Sequence, residues 1–287
     1  MPNKIVQEWA DVEGGRVCFE RAGSGPALVL VHGLLGYSFS WRFALPLLAQ
    51  DHEVLALDMP GSGFSDCRVR DYSLRATAGR LLEFMSAVGV SSCDLVGSSY
   101  GGSTAMMAAI LAPKRIRSLV LVSPANPWSR IGRKRLGLLR NPLLAAVFPK
   151  VARPFRSSHA YFHRRMYGDP RRIAPDTIEG YQRALAQRGV LEHAVRIVRS
   201  WHEDMDNLQN SLPVIADLPT LLVWGSKDRV VDPASAELLR NQFRNAETVV
   251  IEGAGHLPYE ECPEEFSQVV HKFLTSHLVC ECERKVT

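Results

Sequence analysis

The chain has 287 residues, 46% hydrophobic and 22% charged, a globular composition large enough for one big domain or a core carrying an insertion. No apolar run reaches the roughly 18 residues that span a bilayer, which sets aside an integral membrane protein. The opening MPNKIVQEWADVEGG has an acid by residue 8 and no apolar stretch, which sets aside a secretory leader and points to the cytoplasm. The net charge of +4 hides an asymmetry: residues 124–213 hold 16 Lys and Arg against 7 Asp and Glu, a balance of +9, so the remainder carries −5.

Taken in chain order, KIVQEWA and RVCFERAG flank the acid–glycine turn DVEGG and predict an opening hairpin. ALVLVHG is a continuous apolar run of the kind buried on both faces of a sheet. WRFALPLLAQ reads as a short helix and EVLALD as another buried strand. From Ser73 to Val90, apolar residues fall at helical spacing: Leu74, Ala78, Leu81, Leu82, Met85 and Val88. CDLVGS is then a strand, YGGSTAMMAAILA a helix and RIRSLVLVS a strand. The alternation stops at a basic, proline-interrupted, largely helical block. It resumes with PTLLVWG, the helix PASAELLRNQF, the strand ETVVIEG and the helix PEEFSQVVHKFLTSHL. Alternation on both sides of one block predicts an α/β fold: a mostly parallel sheet with helices on both faces, built from residues 1–123 and 214–287, with a helical insertion over 124–213.

Six cysteines stand at 18, 67, 93, 262, 280 and 282, with no CxxC pair and no exporting leader, so free buried thiols are expected rather than a disulfide frame. No metal site is expected at Cys280 and Cys282 for want of partner ligands. His159 and His163, four apart in the basic block, also lack a third ligand and read as a surface helix.

The chemistry gathers at DLVGSSYGG. Two serines adjoin, but only Ser99 has glycines two residues before and after it, Gly97 and Gly101. G-x-S-x-G between a strand and a helix is the nucleophile elbow, where side chains at the flanking positions would strike the neighbouring strand and helix. A serine hydroxyl needs a base, and in this architecture the partners follow in the order Ser, acid, His. His256, in the glycine-rich loop after ETVVIE, meets that order. His32 precedes the serine and reads as a loop-shaping residue, while His271 and His277 lie on the last helix as packing or surface residues. After PTLLVWG the candidates are Asp228 and Asp232. Asp232 precedes Pro233 and a helix and is explained as an N-cap, leaving Asp228 to orient His256. The loop SPANPW, an alternative place for the acid, holds no carboxylate. Two backbone N–H groups should meet the developing oxyanion: Tyr100, directly after the nucleophile, and Leu34 in HGLLG. Gly33, Leu35 and Leu257 are the candidate substrate contacts. The glycine turn DMPGSGFSD, Asp58 to Asp66, is expected to pack beside the site.

Together HGLLG, DMPGSGFSD, GSSYGG, WGSKDRVV and GAGHLPYEE resemble the α/β-hydrolase superfamily, in its branch with a helical cap, over about residues 25–275. The resemblance implies an eight-stranded sheet, a cap over the site and a Ser–His–Asp triad working without a cofactor. Epoxide hydrolases and haloalkane dehalogenases have a carboxylate where Ser99 stands; proline iminopeptidases have a longer oxyanion loop; carbon–carbon hydrolases often have tryptophan where Leu257 stands. The expected function is therefore hydrolysis of a carboxylic ester or thioester of a small-molecule acyl substrate, the basic insertion suiting an anionic one. Carbon–carbon hydrolysis, cofactor-free perhydrolysis and a ligand receptor retaining the triad are the alternatives. No nucleic-acid partner is expected, since the basic block has few interleaved aromatics and matches no binding module. A histidine base also predicts activity that falls on the acid side of neutrality.

Overall fold

The computed structural model describes residues 4–66, 68–129, 137–152 and 156–284, with side chains described except at 140, 152, 156–159 and 277–284. The predicted hairpin is present as β1 (Val6–Val12) and β2 (Gly15–Ala22), antiparallel with Val12 opposite Gly15. The two-residue turn needs left-handed backbone at Gly14, with φ at 97°. β3 (Ala27–Val31), β4 (Glu53–Leu57), β5 (Cys93–Ser98), β6 (Ile116–Val122), β7 (Thr220–Gly225) and β8 (Ala246–Ile251) complete one eight-stranded sheet of order β1-β2-β4-β3-β5-β6-β7-β8. β2 meets β4 antiparallel, and every pair from β4 to β8 is parallel.

Alternate residues of the central strands feed two cores. Val29, Val31, Leu55, Leu57, Leu95 and Leu121 face one side, with the helices α2 (Leu74–Ala87) and α3 (Tyr100–Leu111). Leu28, Leu30, Val54, Ala56, Val96 and Val120 face the other, with Trp41, α1 (Leu45–Leu48) and residues of the C-terminal helix. A strand read as a continuous apolar run is thus a period-2 strand whose two faces are both covered. Ser73 caps α2, its side chain accepting the Ala76 N–H at 3.2 Å, and Val88 closes that helix two residues before the end of the predicted stretch.

Three local readings are corrected. WRFALPLLAQ is not one helix: a 3-10 turn over Ser38–Trp41 precedes the four-residue α1, because Pro46 fits only a helix's first turn. Asp232 does not cap a helix directly; its Oδ1 accepts the Ala234 N–H at 3.0 Å in a turn that leads into a helix starting at Ser235. His163 is not on the surface but 5% exposed, packed on Tyr181 with ring centroids 4.3 Å apart. Cys18 and Cys93 are free and buried and Cys262 is partly buried; Cys67 and the thiols of Cys280 and Cys282 lie outside the described residues, as does the side chain of His159.

Between β6 and β7 the described chain is helical: α4 (Pro142–Ala152), α5 (Arg156–Met166), α6 (Thr177–Leu185) and α7 (Val190–Ser211). After β7 come α8 (Ser235–Arg240), α9 (Pro258–Glu261) and α10 (Pro263–Arg284). No described helix is long and apolar enough to cross a membrane.

Candidate active site

The two serines of the opening motif are separated by their backbone. Ser98, the last residue of β5, is fully buried and donates its hydroxyl to the Tyr259 hydroxyl at 3.2 Å. Ser99 is half-buried and holds φ 53° and ψ −120°, one of three non-glycine residues with positive φ among those described. Its strain is carried by fixed neighbours: its N–H bonds the Val122 carbonyl at 2.9 Å, and its carbonyl accepts from Gly102 and Ala125, each at 2.9 Å. A Cβ at Gly97 would strike the Gly101 carbonyl, and one at Gly101 would strike the Val31 and His32 carbonyls. Both flanking glycines are therefore required by backbone approach, from the helix on one side and the β3 end on the other.

The structure brings His256 and Asp228 together. His256 Nδ1 lies 2.9 Å from Asp228 Oδ2, both side chains almost wholly buried. The other oxygen, Oδ1, accepts the Val230 and Val231 N–H groups at 2.7 and 3.1 Å. Burial alone would raise the Asp228 carboxyl, but the His256 charge and hydrogen bond together with the Val230 N–H outweigh it and hold the carboxyl below its usual value. An ionised Asp228 makes Nδ1 the donor, which leaves Nε2 as the basic nitrogen. The loop carrying Asp228 is braced from the β6 end, where Asn126 Nδ2 donates to Ser235 Oγ at 3.0 Å and Ser129 Oγ accepts the Asp232 N–H at 3.3 Å.

The loop after β3 lies against the elbow. A Cβ at Gly33 would sit 3.0 Å from Ser99 Cβ and 3.7 Å from Ser99 Oγ, so a larger residue there would crowd the hydroxyl. Leu35 takes φ 65°, and the Gly36 N–H closes a turn onto the Gly33 carbonyl at 2.9 Å. His32 shapes this loop, as expected: Nε2 accepts the Met59 N–H at 3.0 Å and Nδ1 donates to the Gly33 carbonyl at 2.8 Å. Burial lowers its pKa and keeps the ring neutral for this double duty. Tyr100 opens α3, so its N–H has no carbonyl partner inside the helix. Leu34 packs on the α2/α3 core, Leu35 on Leu185, Val190 and Leu191 of the insertion, and Leu257 is buried in the core on the opposite face of the sheet. The Asp58–Asp66 turn is organised by Asp58, whose carboxylate accepts the Ser38 and Phe64 N–H groups at 2.7 and 2.9 Å.

Several residues that sequence reasoning passed over bear on the site. Glu261 accepts the Gly255 N–H at 2.6 Å and the Gly168 N–H at 2.9 Å, while the His256 N–H bonds the Met166 carbonyl at 2.6 Å. The histidine loop is therefore stitched to the end of α5. His193 of α7 packs so closely on Gly61 that a Cβ there would strike its ring. Only the paired glutamates after the histidine could have signalled the first contact. A cavity of about 570 Å³ lined by Tyr72, Arg196, Arg199 and Ser200 does not include Ser99, Asp228 or His256.

The family model for the alpha/beta hydrolase fold matches residues 26–263. The chain belongs to that family. This α/β hydrolase is 30% identical over 265 residues to the pimeloyl-(acyl-carrier protein) methyl ester esterase of Aeromonas hydrophila subsp. hydrophila, a match covering 90% of this chain and 99% of that protein. A solved membrane phospholipase A is 28% identical with a TM-score of 0.76, covering 95% of this chain and 86% of that one. Cfl2 from Burkholderia cenocepacia is 21% identical with a TM-score of 0.83 over 93% of this chain and 95% of that one, a likeness of fold. Membership of this family supports hydrolysis as the class of reaction.

The buried rings in the insertion should make stability pH-dependent. Burial lowers His163 and His193 from 6.5 to about 4. Unfolded, each ring takes up its proton below about 6.5; folded, it does so only near 4. The stability these neutral rings carry is complete above 6.5 and is lost as the pH falls through that window. At pH 5 the loss should be about 2 kcal/mol for each ring, read as a lower urea midpoint than at pH 7.5. A His163→Gln, His193→Gln chain should show a smaller drop; an unchanged drop would assign the sensitivity elsewhere.

Proposed function

We propose that this α/β hydrolase is a serine hydrolase that cleaves a carboxylic ester or thioester through an acyl-enzyme, with Ser99, His256 and Asp228 as its triad. The observation that carries this reading is the strained, half-exposed Ser99 at a strand-to-helix elbow in a chain whose His256 is held in one tautomer by an ionised Asp228. His256 Nε2 takes the Ser99 proton as Oγ attacks the acyl carbonyl. The Leu34 and Tyr100 N–H groups receive the oxyanion, and the Gly33 position leaves it room. The imidazolium, stabilised by Asp228, then gives its proton to the leaving alcohol or thiol. Water, deprotonated by the same nitrogen, attacks the acyl-enzyme and frees the acid, restoring Ser99. No cofactor takes part. Residues 124–213 act as a cap, a reading supported by the bonds from the histidine loop to Met166 and Gly168 and by His193 against Gly61. The names of the Aeromonas esterase and of the phospholipase A support an ester as the bond cleaved, and an acyl substrate of small-molecule size.

The test combines a panel of esters and thioesters of graded acyl length with a fluorophosphonate that traps activated serines. Turnover on the panel, blocked in step with one adduct that mass spectrometry locates on Ser99, is the expected result. An adduct on another serine, or turnover untouched by full labelling of Ser99, would remove Ser99 from the mechanism.

A further inference from the structure

The insertion carries a face that the proposed chemistry does not use. On α4, Leu143, Leu144, Val147, Phe148 and Val151 are 76%, 48%, 53%, 45% and 53% exposed. Their spacing gathers them into one stripe of a helix whose only charge is Lys150. On α5, Tyr161 and Phe162 are 58% and 62% exposed beside the exposed Arg164 and Arg165. A chain that stays alone in water seldom displays so many large apolar side chains on two consecutive helices.

The charge of the sequence segment that carries these two helices says what covers them, and Lys150, Arg164, Arg165 and Arg172 are its exposed described cations beside the paired Arg171. From Arg130 to Arg172 the sequence holds twelve Lys and Arg and a single carboxylate, Asp169, which is already paired with Arg171 at 2.7 Å. Pairing with a second copy would bring two such cationic segments together. An acidic protein would answer the charge, but a wide apolar stripe is not what an ion-pairing surface needs. The headgroup boundary of an anionic bilayer answers both: the acyl region accepts the stripe, and lipid phosphates meet the cations at its border. We propose that the α4–α5 face docks this protein onto an anionic lipid surface, with α4 lying in the plane of the interface. This goes beyond the hydrolase reading and does not depend on Ser99.

The full-length chain should co-sediment with vesicles of phosphatidylcholine and phosphatidylglycerol at 7:3, and much less with phosphatidylcholine alone. Raising the salt from 0.1 to 0.5 M should release it, as the Debye length shrinks from about 10 Å to under half that. Leu143→Asp with Phe148→Asp should lower partitioning about tenfold or more, with unchanged circular dichroism and melting, since both side chains are exposed. Arg164→Glu with Arg165→Glu should weaken binding to the anionic vesicles alone. Ser99→Ala should bind like the parent, so failure of the hydrolase reading would leave this result standing. Absence of co-sedimentation with the anionic vesicles, or binding that neither pair of substitutions reduces, would overturn the proposal. So would a dimer dissociated by Phe148→Asp, or saturable binding of an acidic protein at this face, in a chain that ignores vesicles.

Discussion

Alanine at position 99 is expected to lower kcat/KM for an activated ester by about four orders of magnitude or more, with the fold intact. The side chain lost is small and half-exposed, and the bonds that hold the elbow are made by the backbone of residue 99 to Val122, Gly102 and Ala125. Alanine keeps all of them. In the proposed mechanism what disappears is the oxygen that His256 would activate, and Ser98 does not replace it. Ser98 is the same residue type one position away, but it is fully buried, with its hydroxyl engaged by Tyr259. Residual activity should come only from N–H groups that still favour a tetrahedral oxyanion. A purified Ser99→Ala chain with an unchanged melting curve and parental turnover would end the serine-hydrolase reading. Ser98→Ala is the matched control and should retain most of the activity.

The largest loss of stability is expected from Glu260→Ala, about 3–5 kcal/mol of the 5–15 that holds a typical domain. Glu260 Oε2 accepts Arg42 Nη1 at 2.9 Å and the Tyr167 hydroxyl at 2.8 Å, and Oε1 accepts the Tyr181 hydroxyl. Arg42 reaches on to Thr177 Oγ1 at 2.6 Å and lies over the Phe39 and Phe43 rings. One carboxylate thus ties α9, the residue closing the 3-10 turn before α1, the residue that follows α5, and α6 of the insertion. Burial raises its pKa, a sign of what taking the charge out of water costs, and Arg42 and the two phenols offset that cost. Removing the carboxylate strands a mostly buried guanidinium and two hydroxyls, so the loss exceeds the worth of any single bond. The measurement is the urea midpoint at constant m value. Arg244→Ala, which breaks an exposed pair with Asp217 whose side chains are 72% and 73% accessible, should shift stability by less than about 1 kcal/mol. Equal effects of the two substitutions would show that the buried network does not fasten the insertion.

The strands were legible because burial on two faces leaves an unbroken apolar run, as in ALVLV and TLLVWG, which water would not tolerate elsewhere. The elbow was legible because backbone approach forbids a Cβ at Gly97 and Gly101, and only glycine meets that demand. Asp228 and His256 were legible through order and loop position, and the structure brings them to 2.9 Å. His163 was misread because its polarity suits either a solvated helix or an aromatic pocket, and Tyr181, which covers it along with the nearby Tyr167, comes from another helix. The paired glutamates hint at the bond from Glu261 to Gly255, but the one to Gly168 was invisible: nothing local distinguishes a clamping carboxylate from a solvated one in a helix's first turn.

What the chain alone determined is the alternation of strand and helix, the interruption by a basic helical block, and the residue types able to activate a hydroxyl. These follow from local rules, namely the periodicity of side chains along an element and the steric demands of tight turns. Only the tertiary structure decided which serine is exposed, that Asp228 is held ionised against His256, and that Glu261 bonds both the histidine loop and the insertion while Glu260 ties α9 to the insertion. It alone decided, too, that the apolar stripe of α4 faces outward. Those outcomes depend on which groups from distant parts of the chain share a buried space, where desolvation and charge act over a few ångströms in space rather than along the sequence.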